Sequence, residues 1–272
     1  MKTWVVPFRC GLHLSITCAF ASLLFAGCAE ERDTATTDVG DCCPETGVAQ
    51  NPAHQFAGVW EPMGSPRDLE SEADPVFTPG AQGSIERQKV LRDQGIISYD
   101  YSAICIPPSS ATMTTLGPQE ILVDDKKITW LIEAVSGMRW VWMDGREHPP
   151  LEELRPTANG HAIGSWDGDV LVIDSVGFLD KSMVYVNMPG NVSIFPSPEM
   201  RFVERLRLVE DGQAIISERT LSDPVNLAEP WKTTVRYERR DWEIGETICM
   251  ENNDVFFYFE PENLPGRGNE AL

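Results

Sequence analysis

A chain of 272 residues with 42% hydrophobic side chains and eight tryptophans has ample apolar surface for a buried core, which excludes a disordered polypeptide. Its formal charge is −20, from 42 acidic and 22 basic residues. So acidic a surface repels the phosphates of nucleic acid and the headgroups of anionic lipid, so neither is expected as a partner.

The chain opens on a basic segment (Lys2, Arg9) followed by the apolar run LSITCAFASLLFAG. Residues 1–27 therefore read as a secretory signal peptide, too short and wrongly flanked for a spanning helix. Its loss removes both cations and takes the formal charge from −20 to −22. The junction Leu24-Phe25-Ala26-Gly27-Cys28 resembles the lipobox of bacterial lipoproteins, in which the cysteine is acylated and becomes the new N-terminus. That resemblance implies a membrane attachment through lipid at Cys28 alone. Ala29 after the cysteine, rather than Asp, implies the periplasmic face of a Gram-negative outer membrane. Residues 28–52 form a polar linker that carries Cys42 and Cys43. Within the domain that follows, Cys105 and Cys249 are separated by most of its length and are expected to pair in an oxidising compartment. Two separate buried thiols are the alternative.

Residues 53–262 read as a single β domain, followed by a polar tail at 263–272. A helix is expected at 81–94, with Ile85, Val90 and Leu91 on its apolar stripe. Strand-like stretches at 127–135, 138–143, 170–176, 214–221, 231–238 and 255–260 are rich in β-branched and aromatic residues. With weaker segments they make about ten antiparallel strands in a meander. Asp144-Gly145, Asp167-Gly168 and Asp211-Gly212 are the hairpin turns this pattern needs, with Asp124 to Lys127 as a weaker one. No repeat of fixed period interrupts the series, and a barrel or a sandwich would accommodate it.

Two-residue turns fix register, so side-chain pairs follow from them. A turn at Asp211-Gly212 sets Arg205 opposite Glu218 and Glu204 opposite Arg219, two charge pairs expected to face solvent. A turn at Asp167-Gly168 sets His161 directly opposite Asp174, on a face shared with Ile163, Ser165, Val170 and Val172. That face is expected to turn inward. The carboxylate would then orient the imidazole and hold it protonated at neutral pH. His161 and Asp174 are thus the candidate catalytic pair, with a satisfied structural pair as the alternative. After Asp144-Gly145, the segment Arg146-Glu147-His148-Pro149-Pro150 ends a strand, so Arg146 and His148 are expected at an exposed rim. Asp144, Arg146, His148 and Trp166 are the candidate ligand-binding residues.

Several motifs then align: Phe56-Ala57-Gly58-Val59-Trp60, Cys105-Ile106-Pro107-Pro108, Asp144-Gly145-Arg146 with His148-Pro149, and Gly160-His161. Ile163-Gly164, Trp166, Gly168-Asp169, Asp174 and Gly177-Phe178 continue the set, and Glu204-Arg205, Asp223-Pro224, Pro230-Trp231 and Cys249 with Glu251-Asn252-Asn253 close it. Together they resemble a family of uncharacterised secreted proteins and lipoproteins of proteobacteria and acidobacteria, a likeness that covers most of residues 53–257. The family pattern carries histidines shortly before the Glu-Arg pair, whereas residues 195–202 here contain none. Two imidazoles then remain for any metal, so none is expected, and no cofactor motif is present. Gly58-Val59-Trp60 also resembles the GxW start of lipocalin-like barrels.

These readings leave three functions. The first is a barrel-like lipoprotein that binds an apolar or aromatic small molecule, on the strength of Trp130, Trp140, Trp142 and Trp166. The second is a lyase, isomerase or hydrolase with a His161–Asp174 general base, and the third is an envelope-structural lipoprotein without a ligand. The anchor is open to direct measurement: Cys28→Ser should abolish labelling by an alkyne palmitate and move the protein from the membrane to the soluble fraction.

Overall fold

A computed structural model describes residues 51–64, 69–94, 105–135, 137–186 and 193–247. The predicted signal peptide, Cys28, Cys42, Cys43, Cys249 and the predicted strand at 255–260 lie outside the described residues. Cys105 is disulfide-bonded.

The strands are β1 (Gly58–Pro62), β2 (Glu70–Ser71), β3 (Gln119–Val123), β4 (Lys127–Ile132), β5 (Gly137–Trp142), β6 (His161–Asp167), β7 (Val170–Val176), β8 (Val184–Tyr185), β9 (Ser193–Ile194), β10 (Arg201–Val209), β11 (Ala214–Ser222) and β12 (Trp231–Arg240). Nine of them close on themselves in the order β1-β3-β4-β5-β6-β7-β10-β11-β12, and β12 pairs back to β1. The fold is therefore a mainly β barrel. β2 adds to the edge of β12, and β8 with β9 forms a separate ribbon.

Among the described residues two α-helices accompany the barrel, α1 (Pro79–Asp93) and α2 (Ser110–Met113). At the start of α1, Pro79 supplies helical φ and the Thr78 hydroxyl accepts from the Ala81 amide at 3.3 Å. The helix buries Ala81, Ile85 and Gln88, spaced by four and three residues on one face. Val90, placed on the apolar stripe by the sequence, is 47% exposed instead. Gln88 holds that face by donating from Nε2 to the Ser193 carbonyl at 3.0 Å.

The strands alternate inward and outward with a period of two, and the inward set explains the core. At one level Trp60, Ile121, Ile128, Trp130, Val141, Ile173, Leu206, Ile215 and Val235 pack into one apolar cluster. A second cluster contains Phe202, Leu221 and Trp231, covered by Ala81 and Ile85 of α1, Ala111 of α2, and Val184 and Ile194. On β10, Glu204 falls between Phe202 of one cluster and Leu206 of the other. On β11, Ser217 and Arg219 fall likewise between Ile215 and Leu221. A polar layer thus divides the two clusters. Arg139 reaches into it from β5 and places Nη2 2.5 Å from Glu204 Oε2 and 2.9 Å from Ser175 Oγ. Both ionic side chains are fully buried. The inward residues of β6 are Ala162, Gly164 and Trp166. A methyl group at Gly164 would meet Met143 and would come within 3.0 Å of Val141.

Four sequence expectations change here. The strands are not one antiparallel meander, because β5 and β6 run parallel, with Val141 beside Ala162. Residues 143–160 are consequently a crossover rather than a hairpin at Asp144-Gly145, since parallel neighbours cannot be joined by a tight turn. Asp211-Gly212 does set the predicted register, Arg205 against Glu218 and Glu204 against Arg219. Yet only the first pair faces outward; Glu204 and Arg219 lie on the inward face, 0% and 2% exposed.

In the third change, the β6–β7 loop is Gly168-Asp169, with Asp167 paired to Val170. Gly168 takes φ of +64°, while Asp169 keeps negative φ, the arrangement of a type II′ turn with glycine first. The pairing slides by two residues, so His161 meets Val176 and Ile163 meets Asp174. Two residues preserve the face, so His161 and Asp174 stay on one side as diagonal neighbours. Fourth, that side is the outside of the barrel. Trp166, Gly164 and Ala162 turn inward, and Trp166 packs 6.1 Å from Phe56.

Removal of Glu204 would leave the buried Arg139 guanidinium without its carboxylate. Glu204→Ala is expected to cost about 3–5 kcal/mol, read from the shift in the denaturant midpoint. The apolar pair Arg139→Met with Glu204→Leu should recover most of that loss.

Candidate functional site

The crossover 143–160 runs over the outer face of the barrel, and His148 on it returns to the sheet rather than projecting at a rim. Its Nδ1 lies 2.8 Å from His161 Nδ1, with the two rings edge to face at 5.0 Å between centroids. Its other nitrogen, Nε2, lies 3.6 Å from Asp174 Oδ2, an electrostatic contact longer than a hydrogen bond. His148 and Asp174 are each only 18% exposed at the side chain. Ile163 and Val203, the register partners of Asp174 on either side, are half-buried beside it.

Gly160 delivers His161 to this place. Its φ of +67° suits glycine, and a Cβ there would approach the Val176 carbonyl oxygen to 2.6 Å. On the other side Arg201 clamps Asp174, with Nε 2.8 Å from Oδ1 and Nη2 2.5 Å from Oδ2. Arg201 lies two positions from the register partner of Asp174 on β10, and its side chain is 59% exposed.

The expected direct His161–Asp174 contact is therefore replaced. Arg201 takes both oxygens of the carboxylate, and His148 stands between it and His161. The protonation state changes accordingly. The pKa of His161 is lowered from 6.5 by burial, then by His148 and by Arg146, with no contribution from Asp174. It is a neutral imidazole at pH 7, not the imidazolium expected from the sequence. The pKa of His148 is also lowered, mainly by burial, with Asp174 opposing and Arg201 assisting.

Neutral imidazoles have one donor and one acceptor nitrogen, so this geometry selects tautomers. The carboxylate favours the proton of His148 on Nε2. Nδ1 of His148 is then an acceptor, and His161 donates to it from its own Nδ1. The remaining lone pair is on Nε2 of His161, which has no partner among the described residues.

The other candidate ligand residues divide. Asp144 and Arg146 form a bidentate pair at 2.8 and 2.5 Å, and the Arg146 guanidinium lies 3.8 Å above the Trp142 ring. Arg146 holds the Asp144 carboxyl down to about 2. This exposed pair belongs to the same crossover as His148. Trp166 does not join them, because it faces the core. The sequence reading missed Arg201, His148 as a partner of His161, and the interior ion layer. The alternation of β10 would have identified Arg201 as sharing a face with Val203, but only the β7–β10 pairing brings it to Asp174. Among the described residues, no group of three or more His, Cys, Asp or Glu is placed to hold a metal ion.

No family model matches the chain, and neither does a curated protein or a solved structure.

The two imidazoles make a distinct titration prediction. Asp174→Asn should lower the His148 pKa further, because the opposing carboxylate charge is removed, and leave His161 nearly unmoved in an NMR titration. The sign for stability follows from lowered folded pKa values. Above 6.5 both folded and unfolded imidazoles are neutral and the pair costs nothing; as pH falls through 6.5 the unfolded chain takes up protons first. The denaturant midpoint should therefore decline below pH 6.5, and less steeply in His148→Asn.

Proposed function

We propose that the protein is an outer-membrane-anchored, periplasmic lipoprotein whose barrel carries a general-base site on its outer surface. His161 Nε2 is the base, His148 sets its tautomer, and Asp174 orients His148. The observation that carries this reading is the 2.8 Å contact between two ring nitrogens, with the carboxylate at the far end of the first ring. An imidazole that is neutral at pH 7 is already in the form that takes a proton.

The reaction class follows from what adjoins the base. Among the described residues no hydroxyl or thiol is hydrogen-bonded to either imidazole, so the base acts on substrate or on water rather than on a protein nucleophile. A proton abstraction, in a lyase or isomerase, fits better than acyl transfer. Arg201 and Arg146 border the cluster with exposed guanidinium groups and favour a substrate with a negatively charged group.

Binding of an apolar molecule inside the barrel has less support. The inward positions are occupied by Trp60, Trp130, Tyr237, Ile121, Ile128 and Ile173, all at most 2% exposed, and by the ion layer.

The test uses small-molecule extract from the host, incubated in D2O with the wild-type protein or with His161→Gln and followed by mass spectrometry. The wild type should incorporate deuterium into, or convert, at least one anionic metabolite, with a rate that climbs with pH and levels off by neutrality. His161→Gln should lower that rate by about 10²–10⁴-fold. Identical profiles for the two proteins would remove the enzyme reading.

A further inference from the structure

Among the described residues, the polar layer inside the barrel holds more positive than negative charge. Its ionic residues are Arg139, Glu204 and Arg219, with Tyr237 hydrogen-bonded to the Thr114 carbonyl at 2.8 Å. Burial pushes the Tyr237 phenol up to about 12, so it contributes no negative charge. Glu204 neutralises one guanidinium. Although Arg219 is its register partner on β11, no ion pair forms between them; Glu204 closes on Arg139 instead. Arg219 turns away to donate to the Ala111 carbonyl and, at 3.4 Å, to the Thr114 hydroxyl. Among the described residues, the Arg219 guanidinium thus touches neutral acceptors and the face of Phe202 at 4.8 Å, and it shares with Arg139 the charge of a single carboxylate, Glu204.

The donors tell the same story. Nε and Nη1 of Arg139, Nε and Nη1 of Arg219 and the indole nitrogen of Trp130 are buried and without a hydrogen-bond partner among the described residues. Arg139 lies near Trp130, with its guanidinium carbon 5.8 Å from the ring centre. Burial of a guanidinium is tolerated when a charge of opposite sign accompanies it. Water could bridge these donors to Glu204 Oε1 and Ser217 Oγ, which also lack partners among the described residues, but water cannot cancel the charge. An anion does both.

We propose that the interior of the barrel binds one small monovalent anion, of halide or formate size, between the guanidinium groups of Arg139 and Arg219. The anion sits on the side of the guanidinium groups away from Glu204 and acts as part of the core, so it stabilises the barrel and is independent of the His161 site.

The experiment measures the thermal midpoint of the purified full-length protein at constant ionic strength, with gluconate replaced stepwise by chloride, bromide, nitrate or formate. The wild type should gain about 5–10 °C, saturably, as the small anion reaches roughly 100 times its Kd. Arg219→Met, which leaves a neutral Arg139–Glu204 pair, should abolish the gain. Glu204→Gln, which leaves two cations, should steepen it. Equal midpoints in gluconate and in the small anions would overturn the proposal, as would an undiminished gain in Arg219→Met. Should either variant fail to fold, wild-type crystals grown in bromide decide: an anomalous peak within hydrogen-bond distance of both guanidinium groups supports the site, and its absence overturns it.

Discussion

Everything in this barrel is arranged around the buried contact between Arg139 and Glu204. The two groups come from β5 and β10, three strands apart around the wall, and meet where neither is touched by solvent. Two opposite charges at 2.5 Å in such a medium attract strongly, but only in an arrangement that aligns both strands. A one-residue slip of either strand would turn its charge outward and an outer residue inward. The pair is therefore a weak source of net stability and a strong constraint on register.

The second constraint is topological. Parallel pairing of β5 with β6 obliges residues 143–160 to travel the length of the barrel on its outside. That path carries Asp144, Arg146 and His148 from the strand end to the outer face and covers His161 and Asp174. It explains why an outward-facing aspartate is only 18% exposed. Burial on the outer face, more than any charge, depresses both histidines and keeps them neutral. The candidate site and the polar layer thus lie on opposite sides of the same wall: Asp174 and Ser175 are adjacent on β7, one facing Arg201 and the other Arg139.

This division bears on function. A lipocalin-like role would place ligand chemistry inside, where large side chains and ions already fill the described interior. The titratable groups with an accessible lone pair are outside, beside exposed guanidinium groups. The arrangement favours a polar, anionic substrate approaching the wall over an apolar one enclosed by it.

The local elements were legible in the sequence because they depend on short-range chemistry. Enrichment in β-branched and aromatic residues marked β4, β5, β7, β11 and β12, and Ile85 with Val90 and Leu91 marked α1. Asp211-Gly212 set the β10–β11 register even though the loop extends over 210–213, because a four-residue loop with the same centre leaves every pair unchanged. The β6–β7 pairing was displaced by two because glycine occupies the first central position of the turn, a choice that Asp167-Gly168-Asp169 does not reveal. Which face turns inward was misread for the same hairpin. Ile163 and Val172 look like core, yet both lie half-buried on the outer face of the barrel. Glu204 and Arg219 look like a surface pair because charges usually are, and only closure of the barrel brings Arg139 to one of them. Sequence by itself determined the longer strands of the barrel, α1 and the acidic, tryptophan-rich character, all properties of neighbouring residues, but not the short β2, β8, β9 and α2. Tertiary structure alone decided the inside from the outside and the partners of His161 and Asp174, because those depend on contacts between strands far apart in the chain.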